Sequence, residues 1–226
     1  MGLILSRTSK EKFDIKYDTV IEVLIGSMIF GIIGARIYYV LFNLPKYIAS
    51  PEKIFALRDG GLAIYGGIIA ITLFLIVFCK LRKQDFWNLT DYLIPYLALG
   101  QCIGRWGNFF NVEAYGKTTT FFLRMGIINK LGYIEVHPVF LYESIATFCI
   151  FIILRLMQKN RKFKGQIFFA YFILYGAVRA ILEGLRVDSL WLGAFRISQI
   201  LSIIFLIISL ICYIGSMTKK EKNVEK

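Results

Sequence analysis

The amino-acid sequence predicts an all-α, polytopic membrane helix bundle that forms one integral-membrane domain over residues 1–226. Of the 226 residues, 57% are hydrophobic and 19% are charged, and the mean hydropathy is +0.63. Soluble domains average roughly 45–50% apolar and about 25% charged residues. Six apolar runs approach the roughly 20 residues that a membrane-spanning helix needs, and no strand-like alternation competes with them.

The predicted spans follow one another with short connections, apart from a longer external loop region at about 104–137. In chain order they are Val20–Phe42, Gly61–Cys79, Asn88–Ile103, Val139–Met157, Gln166–Leu185 and Ile197–Ile214. The third run is the weakest, because it is short and contains Asp91 and Pro95.

Small residues in the first two spans predict close packing between helices. In the first span, Ser27, Gly31 and Ala35 recur every four residues, a seam that lets helices approach closely. Arg36 follows the seam and is expected to point into the bundle. The second span opens with GGLAIYGG at Gly60–Gly67, where glycine pairs suit close packing or a lipid headgroup near the backbone.

The distribution of basic residues predicts the side of the membrane on which each loop lies. Sixteen of the 27 lysines and arginines lie in the segments 7–16, 80–83, 155–164 and 219–226, and nine lie in 43–60, 104–137 and 186–196. The positive-inside rule places the first set in the cytoplasm, with both termini and a short basic tail at 218–226. The net charge of +12 therefore reflects topology and the membrane surface, and we expect no nucleic-acid partner.

Cysteine and histidine usage argues against a disulfide framework and against a histidine-rich metal site. Four isolated cysteines lie in or beside apolar runs, and we interpret them as buried hydrophobic residues: Cys79, Cys102, Cys149 and Cys212. His137 is the only histidine, which excludes metal sites built on several histidines.

Ionisable residues inside the predicted spans need a partner or a polar cavity. They are Glu22, Arg36, Asp91, Glu143, Arg179 and Glu183. The fifth span carries polar residues at intervals of 4, 4 and 3, namely Tyr175, Arg179, Glu183 and Arg186. At about 100° per residue they share one stripe of the helix. Arg179 and Glu183 are spaced for a structural ion pair, but the whole stripe favours the lining of a cavity.

The stretch GRWGNFFNVEAYG at Gly104–Gly116 has the residue types of an anion site. Arg105 offers a fork of donors that fits phosphate oxygens, and Asn108 adds a neutral donor three residues later. Gly104 and Gly107 lie on either side of the arginine and permit a close approach to the backbone. An ordinary re-entrant turn is the alternative interpretation of this stretch.

The fourth span opens with HPVFLYE at His137–Glu143. Proline suits the first turn of a helix, and His137 is placed to cap that helix. Glu143 lies about one and a half turns inside, where a buried carboxylate needs a partner. Arg105 and Arg179 are the candidate partners.

Four sequence elements, in this order, resemble those of the bacterial prolipoprotein diacylglyceryl transferases. They are GARIYYV at Gly34–Val40, GRWGNFFNVE at Gly104–Glu113, HPVFLYE at His137–Glu143 and YGAVRAILEGLR at Tyr175–Arg186, followed by Asp188. The resemblance covers about Val20–Ile214. It implies an enzyme that moves the diacylglyceryl group of phosphatidylglycerol onto the lipobox cysteine of an exported prolipoprotein signal peptide. A thioether forms, glycerol 1-phosphate leaves, and no cofactor or metal is implied.

The resemblance and the residue chemistry together give candidate roles. The catalytic candidates are Arg105, Arg179, Glu113, Tyr65 and Glu143. The candidates for binding phosphatidylglycerol are Arg105, Asn108, Arg179, Glu183 and Arg186. The orienting candidates are His137, Tyr142, Tyr175, Gly104 and Gly107. A free thiol has a pKa of about 8.5, and Glu113, Tyr65 and Arg179 are all candidates for helping to form the thiolate.

Two features depart from the family pattern. Tyr65 stands where family members carry histidine in an HGG element, and a phenol with an ordinary pKa of about 10 is a poor base at neutral pH. Either the histidine is dispensable, or the phenol only donates a hydrogen bond, or the protein is impaired. Family members also carry seven spans. MGLILS at Met1–Ser6 resembles the end of the first, so we expect a longer chain upstream, and a genuine short form is the alternative.

Two other classes of protein remain as alternatives. One is a small transporter or channel, whose pathway buried charges would also line. The absence of an inverted internal repeat in the sequence disfavours it. The other is a catalytically impaired, lipid-binding member of the family. Tyr65 and the missing span are the two features that support this alternative.

Overall fold

The computed structural model describes residues 13–129, 132–187, 191–192 and 195–224, in two compact units. The N-terminal unit runs to Leu89, and the C-terminal unit begins at Thr90. The first is helical, and the second combines helices with short antiparallel strand pairs. The expected helix remnant at Met1–Ser6 and the Asp188 of the last family element lie outside the described residues.

The N-terminal unit consists of two long helices joined by short helical turns. Its elements are α1 (Tyr17–Phe42), α2 (Leu44–Ala49), the 3₁₀ turns Pro51–Phe55 and Leu57–Asp59, and α3 (Ile64–Leu81). Helices α1 and α3 approach so closely that a Cβ added at Gly34 would lie 2.7 Å from the carbonyl oxygen of Gly66. Gly31 and Ala35 are buried on the same helix, so the predicted packing seam is confirmed at these positions.

Arg36 is buried and organises the segment between α2 and α3. Its five N–H groups donate to backbone carbonyl oxygens at 2.6–3.2 Å, and the acceptors are Lys53, Ile54, Ala56, Gly60 and Gly61. Gly60 and Gly61 have φ of +79° and +78°, which allows the chain to curl around the guanidinium group. The sequence predicted that Arg36 points into the bundle; the side chain is buried, but its partners are peptide carbonyls of the connecting segment.

The C-terminal unit is built on four helices and two strand pairs. Its elements are α4 (Phe86–Phe110, which begins in the N-terminal unit), β1 (Met125–Asn129), β2 (Gly132–Val136), α5 (Val139–Lys159), α6 (Gln166–Leu182), the 3₁₀ turn Glu183–Leu185, β3 (Trp191–Leu192), β4 (Phe195–Arg196) and α7 (Ile197–Val224). Strands β1 and β2 form an antiparallel hairpin in which Met125 lies opposite Val136. Thr118 pairs with Val136 as well, so β2 lies between β1 and this segment.

Helices α4, α5 and α6 share an apolar core. Its buried residues are Ile94 and Ala98 from α4, Ile150 and Leu154 from α5, and Ile167, Ala170 and Tyr171 from α6. Protein interiors are close-packed, so such a core holds the three helices at fixed positions. Each of these helices also carries one of the charged residues described below.

Five of the six predicted spans are confirmed as helices that are long and apolar enough to cross a membrane. These helices are Tyr17–Phe42, Ile64–Leu81, Val139–Lys159, Gln166–Leu185 and Ile197–Lys220. The remaining span forms α4, which has 25 residues but is less apolar. Its polar Thr90 and Asp91 are buried within the protein, where such residues find partners. Helix α4 also continues to Phe110, so the loop region that was predicted at about 104–137 begins at residue 111.

Asp91 on α4 caps the start of α6. Its carboxylate accepts hydrogen bonds from the backbone N–H groups of Gly165 at 2.7 Å and Phe168 at 2.9 Å. Nη1 of Arg161 lies 3.3 Å from the same carboxylate. N–H groups in the first turn of a helix lack acceptors within that helix. Asp91 supplies the acceptor from another helix, and so fixes the helix that carries Arg179.

We expect Asp91→Asn to destabilise the protein by about 2–3 kcal/mol, because an amide weakens the charge-assisted bonds and turns a donor toward N–H groups. Thermal unfolding of the detergent-solubilised protein measures this. The matched control is Asp85→Asn, since Asp85 accepts the Asn88 N–H at 2.8 Å at an exposed helix start, where asparagine caps equally well. Equal destabilisation by the two substitutions would contradict the role of Asp91.

Candidate active site

Glu143 is a buried carboxylate shared by two arginines. It lies on α5, and only 3% of its side chain is exposed. Its Oε2 forms an ion pair with Nε of Arg105 on α4, and its Oε1 accepts a hydrogen bond from Nη1 of Arg179 on α6. Three helices therefore each supply one member of the cluster. Both of the candidate partners that the sequence offered for Glu143 contact it.

Glu183 binds the other edge of the Arg179 guanidinium group. Its Oε2 lies 2.7 Å from Nη2 of Arg179, one helical turn earlier in the chain. The side chains of Arg105 and Arg179 are 22% and 15% exposed, whereas those of Glu143 and Glu183 are 3% and 2% exposed. The accessible part of the cluster therefore consists mainly of the arginine side chains, and the two carboxylates are buried beside them.

The GRWGNFFNVE segment forms one hydrogen-bonded network. Nη1 of Arg105 donates to Oδ1 of Asn108 at 3.5 Å, and Nδ2 of Asn108 donates to Oε1 of Glu113 at 3.0 Å. Nδ2 of Asn111 donates to the same Glu113 oxygen at 3.3 Å. Asn111 is absent from the candidates that the sequence gave, although its position two residues before Glu113 was a usable signal.

The turn after α4 adopts a strained backbone. Val112 and Ala114 have φ of 52° and 56°, a left-handed conformation that is rare for residues other than glycine and rarest for β-branched ones. Such conformations cost about 1–3 kcal/mol each and persist only where the surroundings hold them. Here the backbone N–H of Glu113 donates to the carbonyl oxygen of Asn108 at 3.0 Å. The strain and the network together fix the position of the Glu113 carboxylate.

Gly104 and Gly107 leave the surface of α4 uncovered beside Arg105. Both lie within the helix, and a Cβ added at either would meet no atom of the described chain within 4 Å. These glycines therefore serve neither a left-handed turn nor a close contact within the described chain. The free space next to the arginine allows a ligand to approach the helix backbone.

His137 anchors the loop before α5, and its side chain does not cap that helix. Pro138 precedes the helix without a side-chain capping bond, so the predicted capping role is wrong. The His137 carbonyl oxygen accepts from the N–H groups of Gly116 and Val139, each at 2.9 Å, and the His137 N–H donates to the carbonyl oxygen of Lys117 at 3.0 Å. Its Nδ1 lies 3.2 Å from the hydroxyl of Tyr142.

The predicted polar stripe on α6 ends before Arg186. The chain tightens into a 3₁₀ turn at Glu183–Leu185, and Arg186 is extended and pairs with Gly116 in an isolated bridge. The stripe assumed about 100° per residue throughout, so the prediction is wrong for Arg186. Tyr175 lies on α6 as predicted and stacks on Tyr171, with ring centroids 5.5 Å apart.

Tyr65 lies in the N-terminal unit, at the second residue of α3. The two glycines that follow it, Gly66 and Gly67, are buried, and Gly66 packs against Gly34 of α1. The Tyr65 side chain is 43% exposed, and no hydrogen bond to a described residue holds its hydroxyl. The hydroxyl is thus available to a ligand.

The fold and the cluster define a polytopic helical membrane protein whose paired guanidinium groups suit an anionic group. The family model for prolipoprotein diacylglyceryl transferase matches residues 1–215. Relatives named phosphatidylglycerol–prolipoprotein diacylglyceryl transferase occur in Finegoldia magna, 42% identical over 100% of this chain and 90% of the relative, and in Clostridioides difficile, 42% identical over 99% and 88%. One from Clostridium novyi is 39% identical over 100% and 92%. The chain belongs to the prolipoprotein diacylglyceryl transferase family.

Proposed function

We propose that this bacterial membrane protein transfers the diacylglyceryl group of phosphatidylglycerol to the lipobox cysteine of exported prolipoproteins, the first step of lipoprotein maturation. One observation carries the proposal: Arg105 and Arg179 are held on the single buried carboxylate of Glu143. Guanidinium forks fit phosphate oxygens, and the names of the relatives contain both substrates.

In the proposed reaction, the thiolate of the substrate attacks the carbon of the diacylglyceryl group that carries the phosphate ester oxygen. The S–C bond forms as the C–O bond breaks, and the leaving glycerol 1-phosphate keeps the bonding electron pair. Negative charge therefore grows on the phosphate oxygens during this step. Arg105, Arg179 and Asn108 offset that charge with N–H donors that are in position before the reaction begins.

Glu143 and Glu183 act as positioning residues in this mechanism. They keep the guanidinium groups from swinging away, so little reorganisation is needed when charge develops. A guanidinium group stays protonated in proteins, so Arg179 assists the thiol through its positive field. Glu113 remains the candidate acceptor of the thiol proton, Tyr65 remains a candidate that helps to form the thiolate by donating a hydrogen bond, and Arg186 remains a proposed contact to the headgroup.

The proposed setting is the bacterial cytoplasmic membrane, with both termini in the cytoplasm and the active site toward the outer leaflet. The excess of basic residues in the segments assigned to the cytoplasm supports this orientation. The external loop region then lies on the side where an exported prolipoprotein emerges. The basic charge serves the membrane and the lipid headgroup, and we propose no nucleic-acid partner.

Transfer activity tests the proposal. Purified protein in phosphatidylglycerol nanodiscs is mixed with a lipobox peptide, and mass spectrometry detects the thioether-linked product. We expect product from the wild type and a kcat/KM about a hundredfold lower for Arg105→Ala, which lacks one phosphate-binding fork. The matched control is Arg124→Ala, because Arg124 forms an exposed ion pair with Glu135 and should be dispensable. Absence of product under conditions in which a relative is active would overturn the proposal.

Substitution of Tyr65 tests what the phenol contributes. We expect Tyr65→Phe to lower kcat/KM about tenfold, because a hydrogen-bond donor to a charged group is lost. Tyr65→His restores a donor and should retain activity. The control is Tyr133→Phe, which removes another exposed hydroxyl, on β2. Full activity of Tyr65→Phe would exclude the phenol from catalysis.

A further inference from the structure

The N-terminal unit contains a cavity of about 180 Å³ between the C-terminal part of α1 and the segment that follows it. Its lining includes charged and aromatic side chains, namely Arg36, Tyr39, Lys46, Tyr47, Lys53 and Asp59. All belong to the N-terminal unit, and none is part of the arginine–carboxylate cluster described above. At about 30 Å³ per water molecule, the cavity has room for a headgroup-sized ligand but not for an acyl chain.

The charge of this cavity is unbalanced. Three cationic side chains and one carboxylate line it, which leaves a formal charge of +2. Lys46 and Lys53 are exposed, and neither forms an ion pair within the described chain. Their ammonium groups are therefore free to bind an anion, with Asp59 as the only opposing charge among the described lining side chains.

Arg36 contributes charge to the cavity and holds its shape. All five of its N–H groups are already donated to backbone carbonyls, so it offers no donor to a ligand. Its buried positive charge still raises the potential in the cavity. The Tyr47 ring lies under both Arg36 and Lys46, at 5.4 and 5.9 Å, which fixes the wall between them.

We propose that this cavity binds a small phosphate ester, with Lys46 and Lys53 as the ligating cations. An ammonium group is a flexible point charge that suits a phosphate which enters and leaves. The choice of a glycerol ester rests on the proposed function, whereas the binding of an anion does not. The ligand is either free glycerol phosphate or the phosphoglycerol headgroup of an anionic lipid.

Titration of the full-length protein with three probes tests the proposal. In detergent, isothermal titration calorimetry measures glycerol 1-phosphate, inorganic phosphate and uncharged glycerol. In nanodiscs, native mass spectrometry counts bound phosphatidylglycerol. We expect Lys46→Ala and Lys53→Ala each to weaken phosphate binding about tenfold, and Asp59→Asn to strengthen it about threefold, because it removes the opposing charge. Lys80→Ala, at the far end of α3, is the control and should change nothing.

The outcomes separate this cavity from the active site. Binding that responds to the lysine and Asp59 variants but persists in Arg105→Lys supports the proposal. If only free phosphate esters respond, the ligand is the soluble ester, and if only phosphatidylglycerol responds, it is the lipid. Phosphate binding that is lost in Arg105→Lys and unchanged in the three cavity variants overturns it. If the protein has no transferase activity but its phosphate binding still changes in the lysine and Asp59 variants, the proposed function is refuted and the phosphate site is not.

Discussion

Replacing Glu143 with alanine is expected to lower kcat/KM for diacylglyceryl transfer about a thousandfold and to destabilise the protein by about 3–5 kcal/mol. The carboxylate is buried and pairs with both Arg105 and Arg179. Without it, two partly buried guanidinium groups repel each other and lose their fixed positions. A phosphate then meets no preorganised pair of donors. The nanodisc assay measures the first effect, and thermal unfolding measures the second.

Glu143→Gln separates the charge of this residue from its shape. The amide keeps the volume but turns an NH₂ group toward one of the two arginines. We therefore expect a loss of activity close to that of alanine, with a smaller loss of stability. The control is Glu135→Ala, which breaks an ion pair whose two partners are both exposed and should cost less than about 1 kcal/mol. Activity near the wild-type level in Glu143→Gln would rule out Glu143 as the residue that positions the arginines.

Arg179→Lys is expected to lower kcat/KM about a hundredfold, although the positive charge is kept. Arg179 reaches Glu143 through Nη1 and Glu183 through Nη2. A lysine has a single nitrogen and cannot hold both carboxylates. Within the described chain, Oε2 of Glu183 is buried without a hydrogen bond, so its burial depends on the Arg179 ion pair. We expect kcat to fall more than KM rises, because the lost donor acts mainly as charge develops.

The matched control for this substitution is Arg82→Lys. Arg82 forms an exposed ion pair with Glu22 at 2.7 Å, where a lysine serves nearly as well as an arginine. Its activity and unfolding temperature should match those of the wild type. If Arg179→Lys also matched the wild type, a point charge would suffice at this position, and the guanidinium fork would have no role in catalysis.

Hydropathy predicted the helices well and the end of α4 poorly. Apolar length is a local property of the chain, so five spans could be identified without any knowledge of their neighbours. The end of α4 depends on contacts made elsewhere. Arg105 and Asn108 are polar and read as the start of a loop, but Glu143 and Glu113 satisfy them, and the helix continues to Phe110.

Predictions for two individual residues were wrong because they assumed regular local geometry. Tyr175 and Arg179 of the predicted stripe lie on the regular part of α6, whereas the prediction failed for Arg186 after the 3₁₀ turn. His137 had the position of a helix cap, but its backbone pairs with Gly116 and Lys117 of the preceding loop. Neither result follows from spacing along the chain, because both depend on the path of the loop that returns to these helix ends.

The sequence by itself determined that this protein is a bundle of membrane helices of the prolipoprotein diacylglyceryl transferase family, with Arg105, Arg179 and Glu143 among its charged residues. Only the tertiary structure decided that the Glu143 carboxylate forms ion pairs with both arginines, and that Asp91 caps a helix other than its own. The physical reason is the distance over which each kind of information acts. Hydropathy and motif spacing are read along the chain, whereas ion pairs depend on distances of a few ångströms between helices and on burial, which packing alone sets.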